Sequence, residues 1–120
     1  MDPVIDRQPN ANSPDFGEGR LDELEHHAFD YFLNQTNPAN GLVADKSQPG
    51  APASIAAVGF ALAAYPVGVE RDWISRVDAI DLTLAALRFF RDSVQGTSPD
   101  ATGHKGFYYH FLDKIGRAHV

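Results

Sequence analysis

Between Ser54 and Val69 the chain reads SIAAVGFALAAYPVGV, with no charged residue and apolar side chains in every direction around a helix. A helix that is apolar all round is stable only when it is covered all round. The stretch is shorter than the roughly 18 to 20 apolar residues that cross a bilayer, and its Ala and Gly suit close packing against other helices. It therefore reads as an inner helix that the rest of the chain must cover. Ser54 supplies an N-cap, Ile55, Val58, Leu62 and Tyr65 fall on one stripe, and Ala57, Ala61 and Ala64 give a small opposite face. Gly59 is unfavourable by about 1 kcal/mol in a helix interior, so it is expected to mark a close helix crossing. Pro66 is expected to kink or end the helix.

The flanks supply candidate covers. Residues 1–19 are rich in Pro, Asn, Asp and Gly without a period and read as a linker or arm. From Arg20 to about Gln35, Leu21, Leu24, Ala28, Tyr31 and Phe32 recur at steps of three and four, predicting an amphipathic helix with its acids near the favourable N-terminal end. Asn37 to Ala53 forms a long loop with a turn signal at Asn40-Gly41. Ser75, with Asp78 three residues on, opens a third helix. Its expected core-facing seam is Val77, Ile80, Leu84, Leu87, Arg91 and Val94, leaving Arg76, Asp81, Arg88 and Asp92 to water. A second loop, Gly96 to Gly106, leads to FYYHFLD (Phe107 to Asp113), an aromatic run that predicts an extended segment or a tight entry to another helix. The fold class is all-α: one and a half helical hairpins whose apolar faces imply further neighbours, with only two amphipathic helices to cover the inner one, so that a contiguous apolar patch is expected to stay exposed.

The 120 residues make at most one domain, and 43% hydrophobic content excludes wholesale disorder. A formal net charge of −6 argues against nucleic acid and anionic membrane as partners. Absence of cysteine excludes thiol chemistry and disulfides. The N-terminal residues lack the basic and apolar regions of a secretory leader, and both periplasm and cytosol stay open as compartments.

In an arrangement of helical hairpins both long loops precede an inner helix, so they are expected to open at one end of the bundle, where a site belongs. They carry Asp45, Lys46, Ser47 and Ser54 from the first, and His104, Lys105, Tyr108, Tyr109, His110 and Asp113 from the second. Aromatic rings flanked by carboxylates and amides suit a sugar, whose apolar faces stack on rings while its hydroxyls hydrogen-bond. The same rings can equally plug the end of the bundle. No metal site is expected: His26 and His27 are adjacent rather than four apart on their helix, and His104, His110 and Asp113 have no ligand spacing. There is no G-x-S-x-G elbow and no phosphate-binding Gly loop, and no cofactor is implied.

LDELEHHAFDYFLNQTNPANGLVADK, SIAAVGFALAAYPVGVERDWISR, TLAALRFFRD and GHKGFYYHFLD resemble, in order and spacing, the N-terminal part of the bacterial glucoamylase-like proteins, over Leu21 to Asp113. The resemblance implies an (α/α)6 barrel of helical hairpins, of which this chain would be the first quarter to third, and hydrolysis of glucans by a pair of acids. Some members are endo-β-1,2-glucanases, and related modules occur in cyclic β-1,2-glucan synthases. Of the acids at the loop end of the bundle, Asp113, with Asp45 as the alternative, is then expected to be one of the pair, the general base lying beyond this chain, and Asp45, Lys105, Tyr108, Tyr109 and His110 are expected to bind a glucan; the other reading of Asp113 is an ordinary helix N-cap. The chain departs from the family after FLD: residues 114–120 read KIGRAHV, and IGRAHV matches a translated sequencing adapter, so Ile115 to Val120 are expected to pack on nothing. The alternatives are a helical interaction module, whose repeat period is not visible here, and a non-hydrolytic carbohydrate-binding part of a glucan synthase.

Overall fold

The computed structural model describes residues 17–119. Three helices run in order, α1 (Glu18–Gln35), α2 (Ile55–Glu70) and α3 (Arg76–Arg91), with four two-residue strands in the loops: β1 (Ala53–Ser54), β2 (Gly103–His104), β3 (Phe107–Tyr108) and β4 (Phe111–Leu112). β1 pairs antiparallel with β4, and β2 with β3. The expected all-α reading is thus correct for the helices and incomplete for the loops. The first helix begins at Glu18, two residues before the expected Arg20, and the greater part of the expected arm lies outside the described residues.

The helix starts follow their caps. Ser54 Oγ accepts from the Ala57 N–H at 3.4 Å and Ser75 Oγ from the Asp78 N–H at 3.0 Å, each satisfying one of the donors that a first turn leaves free. Pro66 neither ends nor replaces α2, which runs on to Glu70. Its ring lies on the exposed side of the helix, where it displaces no packed neighbour.

Phe29, Leu42, Val43, Ala53, Val58, Ala61, Tyr65, Ala79, Ala86 and Leu112 form the core. From α1 the buried residue is Phe29, 4% exposed, while Leu21 and Leu24 of the expected stripe are exposed. The close crossing is at Gly68 rather than the expected Gly59: a Cβ on Gly68 would stand 2.3 Å from Phe29 Cζ, whereas one on Gly59 would meet nothing. Phe29 in turn packs on Trp73 at 5.5 Å, and Trp73 stacks on His26 at 4.7 Å. Arg71 reaches Asp22 at 2.9 Å and Glu25 at 3.0 Å, closing that end of α1 onto the α2–α3 turn.

Of two expectations about faces, the bare patch left on the inner helix is found and the buried side of α3 is not the one expected. α2 is not covered all round, because α1 and α3 cover only part of it: Phe60 is 68% exposed, and Ala56, Gly59, Ala63 and Val67 continue the same bare stripe. On α3 the side turned to the core is Ala79, Leu82, Ala86 and Phe89, whereas the expected seam, Val77, Ile80, Leu84 and Leu87, faces away from it. α3 therefore has an apolar face on each of two opposite sides, and only the one with more alanine is occupied.

The segment after Leu112 also differs from expectation. Gly116 is buried, with the Phe89 ring so near that a Cβ there would stand 2.0 Å from Cζ. Its carbonyl accepts from Thr102 Oγ1 at 2.7 Å, and Ala118 N–H donates to Ala101 O at 3.1 Å. Residues 116–118 thus pack on the body of the protein, Ile115 is exposed, and Val120 lies outside the described residues.

Candidate functional site

A row of short backbone pairings laces the two long loops together. Val43 bridges to Thr36, Ala44 to Ala53, Ala53 pairs with Leu112, and Leu112 bridges to Ala118. The Ile55 N–H donates to His110 O at 3.0 Å, and Asn40 Nδ2 donates to Lys114 O at 2.9 Å. Both loops thereby occupy one end of the helices, where α1 and α3 finish and α2 begins, as the sequence predicts. The cause is geometric: the Asn40-Gly41 turn, with Gly41 at φ 72°, sends the chain back along α1 so that residues 43–54 reach the second loop.

From the first loop, Asp45 is exposed next to Ala44, whose carbonyl accepts from the Tyr31 hydroxyl. Burial, and secondarily the Asp45 charge, raise the Tyr31 phenol above its ordinary value, so Tyr31 stays a neutral donor. In the second loop, Lys105 and Gly106 form the tip of a two-residue hairpin, at φ 51° and 86°, with His104 paired to Phe107. Positive φ at both positions is what a type I′ turn requires. Tyr108 points back to α3: its ring meets Phe90 edge-on at 4.8 Å and its hydroxyl donates to Phe90 O at 3.1 Å. Strand alternation sends Phe107 and Tyr109 to the opposite side, and Phe107 is 80% exposed. His110 lies edge-on to Phe111 at 4.3 Å. Of the nominated rings, then, Tyr108 closes the bundle end, and Tyr109 and His110 are open to a ligand.

Asp113 caps a turn. Its Oδ1 accepts from the Ile115 N–H at 3.0 Å and the Arg117 N–H at 2.9 Å, and its Oδ2 from Arg117 Nε at 2.8 Å. Partial burial opposes the charge, but the Arg117 backbone and side-chain hydrogen bonds, the Ile115 N–H and the Arg117 charge together hold the carboxyl below its ordinary value. Asp113 is thus an ionised acceptor at neutral pH, able to bind a hydroxyl or act as a base but not to donate a proton. A folded-state value below the unfolded one means that Asp113 stabilises the fold above about pH 4, the unfolded carboxyl range, and that this contribution is lost as pH falls through and below it. Thermal unfolding of Asp113→Asn is therefore expected to fall less steeply than that of the parent chain between pH 5 and pH 2.5. Parallel curves would remove the assignment.

A hollow of about 230 Å³ lies beside the laced loops, bordered by Asn34, Gln35, Thr36 and Asn37 and by Ala44 and Lys114, the chain neighbours of Asp45 and Asp113. It is smaller than the roughly 300 to 1,000 Å³ of a complete ligand pocket. Its amides went unnominated in the sequence, although Asn34 to Asn40 contains three Asn and a Gln within seven residues. A larger open cleft, about 590 Å³, runs along the far side of α3 between Arg88, Asp92, Asp100 and Thr102, and no nominated residue lines it. Among the described residues, no three His, Asp or Glu converge as a metal site, and no helix is long and apolar enough to cross a membrane. His104 Nδ1 is buried without a hydrogen-bond partner.

No family model and no curated protein matches the chain. Among solved structures, a candidate glucoamylase from Bacteroides uniformis shares the fold with a TM-score of 0.67 at 24% identity over 87% of this chain. This chain spans 24% of that protein's length.

Proposed function

We propose that the chain is part of a glycoside hydrolase acting on glucans, and that it forms one and a half hairpins of an (α/α)6 barrel whose saccharide-binding end is the laced pair of loops. The observation that carries this reading is the β1–β4 pairing, which brings a loop with Asp45 and amides beside one with Tyr109, His110 and Asp113. Tyr109 offers a ring to stack on a sugar face, Lys105 and His110 offer donors to hydroxyls, and the amides of the small hollow bind both ways. Hydrolysis of a glycosidic bond needs one carboxyl to protonate the leaving oxygen and another to activate water, about 6.5 to 9.5 Å apart for inversion. Ionised Asp113 fits the second role. The proton donor then comes from a helical hairpin that this chain does not contain, and the chain alone binds glucan without turning it over. Both Asp113 oxygens are already engaged by Ile115 and Arg117, which weakens it as a base and favours, as a second reading, a non-hydrolytic glucan-binding module.

The test is calorimetric titration of the chain with β-1,2-linked and with α-linked gluco-oligosaccharides, beside Asp113→Asn and Tyr109→Ala. Binding of one linkage class, weakened about tenfold or more by each substitution, is the expected result. Absence of binding to both classes would overturn the proposal. Turnover by a version extended to a full barrel separates the hydrolase from the binding module.

A further inference from the structure

Between Ile55 and Val69, Tyr65 is the one side chain that carries a polar atom, and it is 1% exposed. A hydroxyl buried among apolar groups is costly unless it is hydrogen-bonded. Its partner is Thr36, the residue that closes α1: Thr36 Oγ1 lies 3.3 Å from the Tyr65 hydroxyl oxygen. Thr36 has a single hydroxyl proton, which it gives to the Phe32 carbonyl four residues back in α1. Tyr65 is therefore the donor of the pair and Thr36 the acceptor. Burial pushes the Tyr65 phenol above its ordinary value and outweighs the opposing effect of the Thr36 hydrogen bond, so the donated proton is retained at neutral pH. The reach follows from helix geometry. Tyr65 stands about 15 Å along α2 from Ile55, and helical side chains lean toward the N-terminus, which here is the end where α1 finishes.

Thr36 is also where α1 becomes the first loop. Its backbone bridges to Val43, the Asn37 N–H beside it donates to Leu42 O at 2.8 Å, and the Ala44 N–H donates to Gln35 O at 3.1 Å. Asn34, Gln35, Thr36 and Asn37 together form one edge of the hollow beside the laced loops. We infer that Tyr65 is a positioning residue: through Thr36 it fixes that edge, so that the side-chain amides of Asn34, Gln35 and Asn37 meet the hydroxyls of a glucan in one arrangement. A polar group that is already held loses less freedom on binding than one that must be ordered by the ligand. The inference takes its ligand from the glucan-binding reading, and its geometry from contacts that lie wholly inside this chain.

The experiment compares Tyr65→Phe, Thr36→Val, their double variant and Thr36→Ser, each checked for folding by circular dichroism. Amide hydrogen exchange of Asn37 and Ala44 reads the edge without any ligand, and calorimetric titration with β-1,2- and α-linked gluco-oligosaccharides reads its use. In Tyr65→Phe and in Thr36→Val, both amides are expected to exchange about tenfold faster and affinity for the bound linkage class to fall about fivefold, as for one lost hydrogen bond. The double variant is expected to be no worse than either single one, because the two hydroxyls act through one bond. Thr36→Ser keeps the hydroxyl and should behave as the parent chain. Gly68→Ala separates positioning from stability: a Cβ there crowds Phe29, so it should lower Tm and leave affinity unchanged. A parent chain that binds neither linkage class, with exchange accelerated in Tyr65→Phe, would overturn the glucan reading and keep the positioning. Unaccelerated exchange in Tyr65→Phe, additive losses in the double variant, or an affinity loss in Gly68→Ala equal to that in Tyr65→Phe would each overturn the positioning.

Discussion

Gly41→Ala is expected to destabilise the protein by about 2 to 5 kcal/mol. Gly41 has φ 72°, and a Cβ on it would stand 2.5 Å from the Ala86 backbone nitrogen and 2.6 Å from its Cα. The left-handed backbone costs a non-glycine residue about 1 to 2 kcal/mol, and overpacking costs about 1 to 3 kcal/mol more. The neighbour is the backbone of a helix, which cannot turn aside as a flexible side chain can. For a domain of this size the sum corresponds to a fall in Tm of about 10 °C or more. Gly50 provides the control: its φ is 80°, but a Cβ there meets nothing within 4 Å. Gly50→Ala should therefore show the backbone cost alone. Equal losses in the two variants, measured by thermal unfolding, would mean that Gly41 does not support α3.

Leu112→Ala is expected to cost about 2 to 5 kcal/mol, the range for emptying a buried leucine site. Leu112 is fully buried, and its backbone stands between Ala53 on one side and Ala118 on the other. The cavity is thus made at the place where the loops are laced. Denaturant unfolding should show the loss, and glucan affinity should fall even though the buried Leu112 side chain is not itself one of the proposed sugar contacts. A variant with lowered stability and unchanged affinity would show that the loops hold their positions without the lacing.

Features fixed by a few adjacent residues were legible in the sequence. Ser54 and Ser75 cap as expected because a cap needs only a hydroxyl three residues before an N–H. The Asn40-Gly41 turn is where its φ preference puts it, and FYYHFLD is extended. Which side of a helix is buried was not legible, for a physical reason. Periodicity reports that a stripe is apolar, and α3 has two such stripes, so Val77 and Ile80 stood out by size while small Ala79 and Ala86 joined the core, Ala86 close against Gly41. The same competition misplaced the crossing: Gly59 and Gly68 are equal in sequence, and only the position of Phe29 decides between them. At the candidate site, the residue types of Tyr109, His110 and Asp113 were readable, but that Lys114 of the second loop borders the same hollow as Asn34 and Asn37 depends on strands of two residues, too short to leave a pattern. Asp113 as a turn cap depends on Arg117, in a segment expected to touch nothing.

The amide of Ile55, the first residue of α2, is donated to the carbonyl of His110 in the second loop. Opening that loop therefore exposes the first turn of the inner helix to solvent as well. The amide hydrogens of Ile55 and Leu112 are expected to exchange at a common rate, slowed together when any ligand bridges the loops, whereas that of Ser54, held by the Val43 carbonyl of the first loop, is not. A single protease cut between Gly96 and Gly106 would then register as fraying at the start of a helix some forty residues earlier in the chain.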